Sequence, residues 1–245
     1  MDDTLIDWSG RTVDWIDYRR THLQSVFDFV CAEVHPLADS KLDPFVEAAV
    51  QHIERGWTES AVSLISPNIG TSIALALRDV GVPPEKINRE RVLRAYEWGP
   101  VTGVTVFPDA LEVLPILRQH GIQITIITNS SQPMWMRDIE LEAFGLLKWI
   151  DGPRISAADV GYLKPHPAIF GAALDSLRIG ADETVMVGDN PRADVQGGQG
   201  VGIKSILRQL ADGSNQYHSA TPDATIDTLH DLLPILDVWF PDWRR

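Results

Sequence analysis

Two regimes of hydrophobic spacing divide the chain. From residue 12 to residue 98 the apolar positions recur at helical intervals, and no strand-like run interrupts them. Leu23, Val26, Phe27, Val30 and Val34 share one face of a helix that His35-Pro36 ends. Val46, Ala49, Val50 and Ile53 predict a second helix, stopped at Gly56. Ile73, Ala76, Leu77 and Val80 predict a third, closed by Gly81 and Pro83-Pro84. Asn88 is placed to cap a fourth, running through Val92, Ala95 and Tyr96. Four amphipathic helices without a strand suggest a small bundle of their own.

After Gly99-Pro100 the pattern alternates. Phe107-Pro108-Asp109 opens a helix carrying Leu111, Leu114 and Leu117, with Pro115 as a possible kink and Gly121 as its end. Ile122–Ile127 reads as a strand that delivers Thr128-Asn129 at its C-terminal end. A helix over 133–145 follows, then a short strand at Pro153–Ser156 and a helix over Pro165–Leu177. Thr184–Val187 is a strand, 192–198 a short helix, Ile203–Leu207 a strand and Ala224–Ile226 another. A last helix carries Leu229, Leu232, Leu233 and Leu236, and Asp212–Pro222 is expected to be an exposed loop. Alternating strands and helices imply an α/β fold with a parallel sheet.

Composition narrows the function. At 245 residues and 44% hydrophobic, the chain can bury a large core. Its formal charge of −13 disfavours nucleic acid and anionic lipid, so neither nucleic-acid nor membrane partners are expected. The one cysteine, Cys31, lies in a helical pattern, where core packing is the expected role, and it suggests a reducing compartment. With no long apolar run either, a soluble cytoplasmic protein is expected.

Candidate chemistry gathers at strand ends. In TVMVGDNPRAD, Asp189 follows the predicted strand directly and Asp194 stands five residues later. Ligands of open α/β sheets bind at the carboxyl ends of strands. Two carboxylates there suit Mg²⁺, although Asp189 and Asn190 are also ordinary turn formers. Thr128 closes the run ITIIT, where its hydroxyl can meet a phosphate oxygen or simply cap the next helix. Lys164 precedes Pro165 at a predicted helix start, so its backbone is restricted and its ammonium can neutralise phosphate charge. His166 reads as a solvated helix-start residue.

MDDTLID, IITNSS, GYLKPHPAIF and VMVGDNPRAD, in that order, resemble the four motifs of the haloacid dehalogenase-like hydrolase superfamily. The resemblance spans nearly the whole chain. It implies a Rossmann-like core over 1–11 and 99–245, a helical cap of the first subclass over 12–98, Mg²⁺ as cofactor, and phosphoryl transfer through an aspartyl-phosphate. The first motif departs from the family's Asp-x-Asp-x-Thr. With Thr4 at the threonine, Asp2 is the second aspartate and Met1 the residue between the two. The nucleophilic aspartate and the first, central strand have no counterpart. A start placed at an internal methionine explains this, and an empty slot in the sheet is expected. Making Asp2 the nucleophile would put Ile6 at the threonine position.

Carried over residue by residue, the resemblance makes Asp2 the acid and base. Asp189 and Asp194 become metal ligands, helped by the Asp2 carbonyl. Lys164, Thr128 and Asn129 hold the phosphoryl oxygens. An acid at position 2 argues against a dehalogenase. The expectation is a phosphatase of a small phosphorylated metabolite, monomeric or homodimeric, inactive in the chain as it stands. A phosphomutase, or a non-catalytic phosphate- or Mg²⁺-binding regulatory protein, is the alternative. Arg19, Arg20, Arg55 and Trp57 are candidates to face the site from the cap, and the eight tryptophans are read as scattered packing residues.

Overall fold

The computed structural model describes residues 1–211, 213, 215 and 220–245. Four helices fill the first region: α1 (Trp15–Glu33), α2 (Leu42–Ser63), α3 (Ile69–Asp79) and α4 (Arg89–Ala95). They share an apolar cluster built on Leu23, Phe27, Phe45, Ile53, Ile73 and Leu77. Cys31 packs half-buried at its margin. Asn88 caps α4 as its position predicts, its Oδ1 accepting from Arg91 N at 3.1 Å.

Gly56 does not stop α2, which runs on to Ser63 and ends at Leu64 in the left-handed region (φ 56°). A lone glycine is tolerated inside a long helix. Here it also gives room, because a Cβ at Gly56 would press on Pro67 at 3.1 Å.

The second region supplies the strands. β1 (Ile6–Asp7) and β2 (Thr105–Val106) form an antiparallel pair on either side of the helical segment. Two-residue strands carry no readable period, so neither was predicted. β3 (Ile126–Thr128) pairs in parallel with β4 (Arg154–Ser156). β5 (Val185–Gly188), β6 (Lys204–Arg208) and β7 (Ala224–Ile226) form a parallel set with β6 in the middle. The helices between them are α5 (Pro108–Gln119), α6 (Met134–Ala143), α7 (Ala157–Val160), α8 (Pro167–Leu177) and α9 (Gly197–Gly200), and α10 (Leu232–Trp239) follows β7. The alternation therefore gives the α/β architecture that the periodicity predicts. Most of the expected loop Asp212–Pro222 lies outside the described residues.

Several boundaries move for physical reasons. α8 starts at Pro167 rather than Pro165, with His166 as N-cap accepting from Ala168 N at 3.2 Å. Pro191–Gln196 winds as a π-helix before α9, in place of one short helix over 192–198. The predicted strand 122–127 contracts to 126–128. Residues 122–125 flank a cavity and share no strand ladder among the described residues.

That cavity separates the two parallel sets. Among the described strands, β3 and β5 share no hydrogen-bonded ladder. Between them lies an apolar space of about 490 Å³, walled by both strands, by α5 and α10, and by Met1 and Leu5. Val185, Met186 and Val187 border it and stay half-buried, where a central parallel strand is ordinarily covered on both faces.

The chain crosses between bundle and sheet twice, and the crossings touch backbone to backbone. A side chain at Gly10 would collide with the Gly103 carbonyl, and one at Gly103 (φ +87°) with the Gly10 carbonyl.

Candidate active site

The carboxyl ends of β3 and β5 bring the motif residues together. Thr128 is the last residue of β3 and is buried. Asn129 follows, and its side-chain amide makes a reciprocal pair with the Lys164 main chain: Nδ2 donates to Lys164 O at 3.0 Å, and Lys164 N donates to Oδ1 at 2.7 Å. The Lys164 side chain turns inward. Its Nζ donates to Asp194 Oδ1 at 2.6 Å and to the Ile127 carbonyl at 3.2 Å, with only 8% of the side chain exposed. The other Asp194 oxygen accepts from Asn190 N at 2.9 Å. Asp194 thus closes the π-helical turn and holds the lysine at once. π-Helical turns of this kind recur at functional sites.

Asp189 stands one residue past Gly188 and accepts from Thr4 Oγ1 at 2.9 Å. Burial raises its carboxyl above the ordinary range, and the charge of Asp194 adds to the effect. Gly188 makes the close approach possible, since a Cβ there would overlap the Asp194 carboxylate. Gly188→Ala should therefore push Asp194 off Lys164 and cost about 1–3 kcal/mol, read by urea denaturation. An unchanged midpoint would contradict the packing.

The first motif forms a tight turn, with Leu5 N and Ile6 N both donating to Met1 O, at 2.8 and 3.1 Å. Asp3 takes the left-handed region there (φ 52°), which aspartate tolerates better than most residues. Burial raises the Asp3 carboxyl to about 6, with Asp189 contributing. Arg208 secures the turn by donating from Nη1 to Thr4 O at 2.8 Å, while its Nη2 pairs with Asp109 at 2.9 Å. Burial lowers the Met1 α-amine, and the nearby Lys164 lowers it further.

Asp2 faces elsewhere. Its Oδ1 meets Arg137 Nη2 at 2.5 Å and Trp8 Nε1 at 2.9 Å. Burial alone would raise its carboxyl, but Arg137 and the Met1 amine hold it below the ordinary range. Arg137 Nε also stands 2.8 Å from Glu140 Oε2, too poorly aligned to count as a hydrogen bond. Burial outweighs that neighbour and raises Glu140 to about 7. Sequence reasoning missed both residues. The signal was there, since Arg137 shares a helical stripe with Met134 and Leu141 and is a cation on an apolar face.

Glu140 carries a prediction with a definite sign. An acid whose folded value is raised binds more protons in the folded state between its two values. Stability is therefore highest below about 4.5 and falls as pH rises toward about 7. The loss approaches about 3 kcal/mol at 1.36 kcal/mol per unit. Glu140→Gln should match the wild type at pH 4.5 and exceed it by about 2–3 kcal/mol at pH 8 in urea denaturation.

Asp189 and Asp194 are the rim carboxylates that could hold a divalent cation of the Mg²⁺ kind, which takes one or two carboxylates and completes its shell with phosphate and water, with Asp194 sharing oxygens already engaged by Lys164 and Asn190. Asp189 is desolvated beside a second carboxylate, a donor in want of positive charge. Among the described residues, no group of three or more His, Cys, Asp or Glu side chains is arranged to hold a metal. Asp2 does not join the pair through its carboxylate, which is turned to Arg137.

Beside the rim, between bundle and sheet, is a cleft of about 300 Å³ lined by Asp2, Trp8, Trp57, Asn129 and Arg137, among others. Of the four proposed facing residues, Arg19 and Trp57 line it. Arg20 pairs instead with Asp43 at 2.5 Å, and Arg55 is exposed outside the lining.

Residues 1–202 match the family described as haloacid dehalogenase-like hydrolase. The chain belongs to the haloacid dehalogenase-like hydrolases. The chain is 32% identical over 149 residues to a ribulose-1,5-bisphosphate 5-phosphatase of Halopiger xanaduensis, covering 58% of this chain and 61% of that one. It is 31% identical over 171 residues to a phosphoglycolate phosphatase of Rhodospirillum rubrum, covering 70% and 68%. A pyrophosphatase PpaX of Bacillus mycoides is 32% identical over 138 residues, covering 54% and 60%. The chain thus spans about 60% of the length of the first relatives. Its fold is shared with a 2-haloacid dehalogenase from Pseudomonas syringae pv. Tomato DC3000, at TM-score 0.62 and 22% identity, covering 98% and 96% of the two chains. At that identity the likeness shows the fold alone.

Proposed function

We propose that this hydrolase is a Mg²⁺-dependent phosphatase of small phosphorylated metabolites, working in the cytoplasm. The observation that carries the reading is the buried Lys164–Asp194 pair at 2.6 Å, beside Thr128 and the Thr4–Asp189 bond. Four segments far apart in sequence contribute to that one rim. The relatives named as phosphatases act, by their names, on a bisphosphate, on phosphoglycolate and on pyrophosphate.

In this reading Thr128 and the Asn129 N–H fix the phosphoryl oxygens, and Lys164 balances their charge. Asp189 and Asp194 hold Mg²⁺, which when bound offsets charge on the transferring group. Asp2, kept ionised and turned aside by Arg137, would have to swing toward the rim to take a proton from water. Donating one to the leaving oxygen requires its release from that pair. The helical segment 12–98 acts as a cap over the rim. In this reading the family's nucleophile has no counterpart among the 245 residues, and the cavity between β3 and β5 is taken as the slot of the family's central strand. The chain by itself is therefore expected to be inactive.

Isothermal titration of the 245-residue chain with MgCl₂ tests the metal assignment. Asp189→Asn should weaken binding at least tenfold, about 1.4 kcal/mol. Equal affinity in the variant would remove Asp189 from the metal site.

A further inference from the structure

The cleft between bundle and sheet is not a generic polar pocket. Four of the eight tryptophans line it: Trp8, Trp15, Trp57 and Trp98. Trp98 is buried in the bundle's apolar cluster and Trp8 and Trp15 pack against the sheet's, as packing residues do, yet each also borders the cleft. The four come from three separate stretches of sequence and meet only here. Trp8 and Trp15 are stacked, with ring centroids 5.9 Å apart. Trp57 is 37% exposed on α2, an aromatic face left open to solvent within the cleft. Large exposed aromatics beside a concave polar site are characteristic of ligand walls.

The cleft has two cations among its lining residues, Arg19 and Arg137. Arg137 is engaged by Asp2 at 2.5 Å and approached by Glu140 at 2.8 Å. Arg19 has a looser partner, Glu54 at 3.9 Å, and its guanidinium lies 5.9 Å from the Trp15 ring centroid. A guanidinium held beside an aromatic face, with its fork still available, is suited to a planar carboxylate.

We propose that the cleft selects a phosphate monoester whose leaving group is a flat aromatic ring carrying a second anionic group. The ring lies against the tryptophan wall with Trp57 as its outer face. The second anion meets Arg19, and the phosphate reaches the rim at Asn129. This rests on the reading of that rim as a phosphate site and adds the class of substrate to it.

The test uses the chain as it is, since binding needs no turnover. Tryptophan fluorescence is titrated, with Mg²⁺ present, using inorganic phosphate, glycerol 3-phosphate, phenyl phosphate and 4-carboxyphenyl phosphate. Phenyl phosphate should bind at least tenfold more tightly than glycerol 3-phosphate, and 4-carboxyphenyl phosphate several-fold more tightly again. Trp57→Ala should remove most of the ring's advantage and leave glycerol 3-phosphate unchanged. Arg19→Gln should erase the carboxylate's gain alone. Equal affinities for the three esters, or a Trp57→Ala loss shared by all ligands, would overturn the proposal. Benzoate separates it from the reading beneath it. Quenching by benzoate without binding of inorganic phosphate would keep the aromatic cleft and remove the phosphate rim. Phosphate binding without ring preference would do the reverse.

Discussion

A chain lengthened at Met1 by five apolar, β-branched residues and a terminal aspartate should gain both stability and metal-dependent turnover of p-nitrophenyl phosphate. The 490 Å³ space between β3 and β5 is the reason. Burying five Val or Ile side chains contributes about 7–15 kcal/mol, and ordering their backbone costs about 5–10. The net is a few kcal/mol, or roughly 10 °C in melting temperature for a chain of this size. The amides of Ile126–Thr128 and Val185–Gly188 should become protected from hydrogen exchange at the same time. The added aspartate would stand immediately before Met1, whose amine lies near Lys164, Asp189 and Asp194. An extended chain with the old melting temperature and exchange pattern would show that the space is not a strand site. A stable but inactive one would remove the aspartyl-phosphate mechanism.

Lys164→Met should be the most damaging single substitution at the rim. The lysine and Asp194 side chains are 8% and 4% exposed, so removing the cation leaves a buried carboxylate facing a carbonyl and Asp189. Breaking such a pair costs about 3–5 kcal/mol. Lys164→Met/Asp194→Asn should recover more than half of that, because the asparagine is neutral and still accepts from Asn190 N. Urea denaturation at pH 7 measures both. If the double variant is as unstable as the single one, the loss lies in packing rather than in stranded charge.

Much of this architecture was legible in the sequence. The helical spacing of Leu23 through Val34, the cap at Asn88 and the apolar run before Gly188 each gave an element close to its observed place. The rim was legible because Thr128 and Asp189 stand at the carboxyl ends of strands and Lys164 shortly before a helix, where direction is set by the backbone. What stayed hidden depends on pairing across the chain. Thr4 reaching Asp189, Arg137 reaching Asp2 and Arg208 reaching Thr4 span 185, 135 and 204 positions, distances no local period encodes. The shared tryptophan lining was hidden for the same reason, since Trp8, Trp57 and Trp98 border one cleft only after folding. The persistence of α2 past Gly56 was hidden because Pro67, which fits against that glycine, lies beyond the helix.

The bare contact between Gly10 and Gly103 has a mechanical consequence. The bundle is tethered to the sheet by two strands of chain that meet where neither carries a side chain. Swivelling about that point is resisted elsewhere, by Ser66 N donating to Gly161 O and Ile69 N to Ser131 O, both at 2.9 Å, and by Met136 seated in the bundle's apolar cluster. The cleft takes Arg19 and Trp57 from the bundle and Asn129 from the sheet, so its aperture depends on how the two are held together. A methyl group at either glycine would act as a wedge, fixing the aperture from outside the rim.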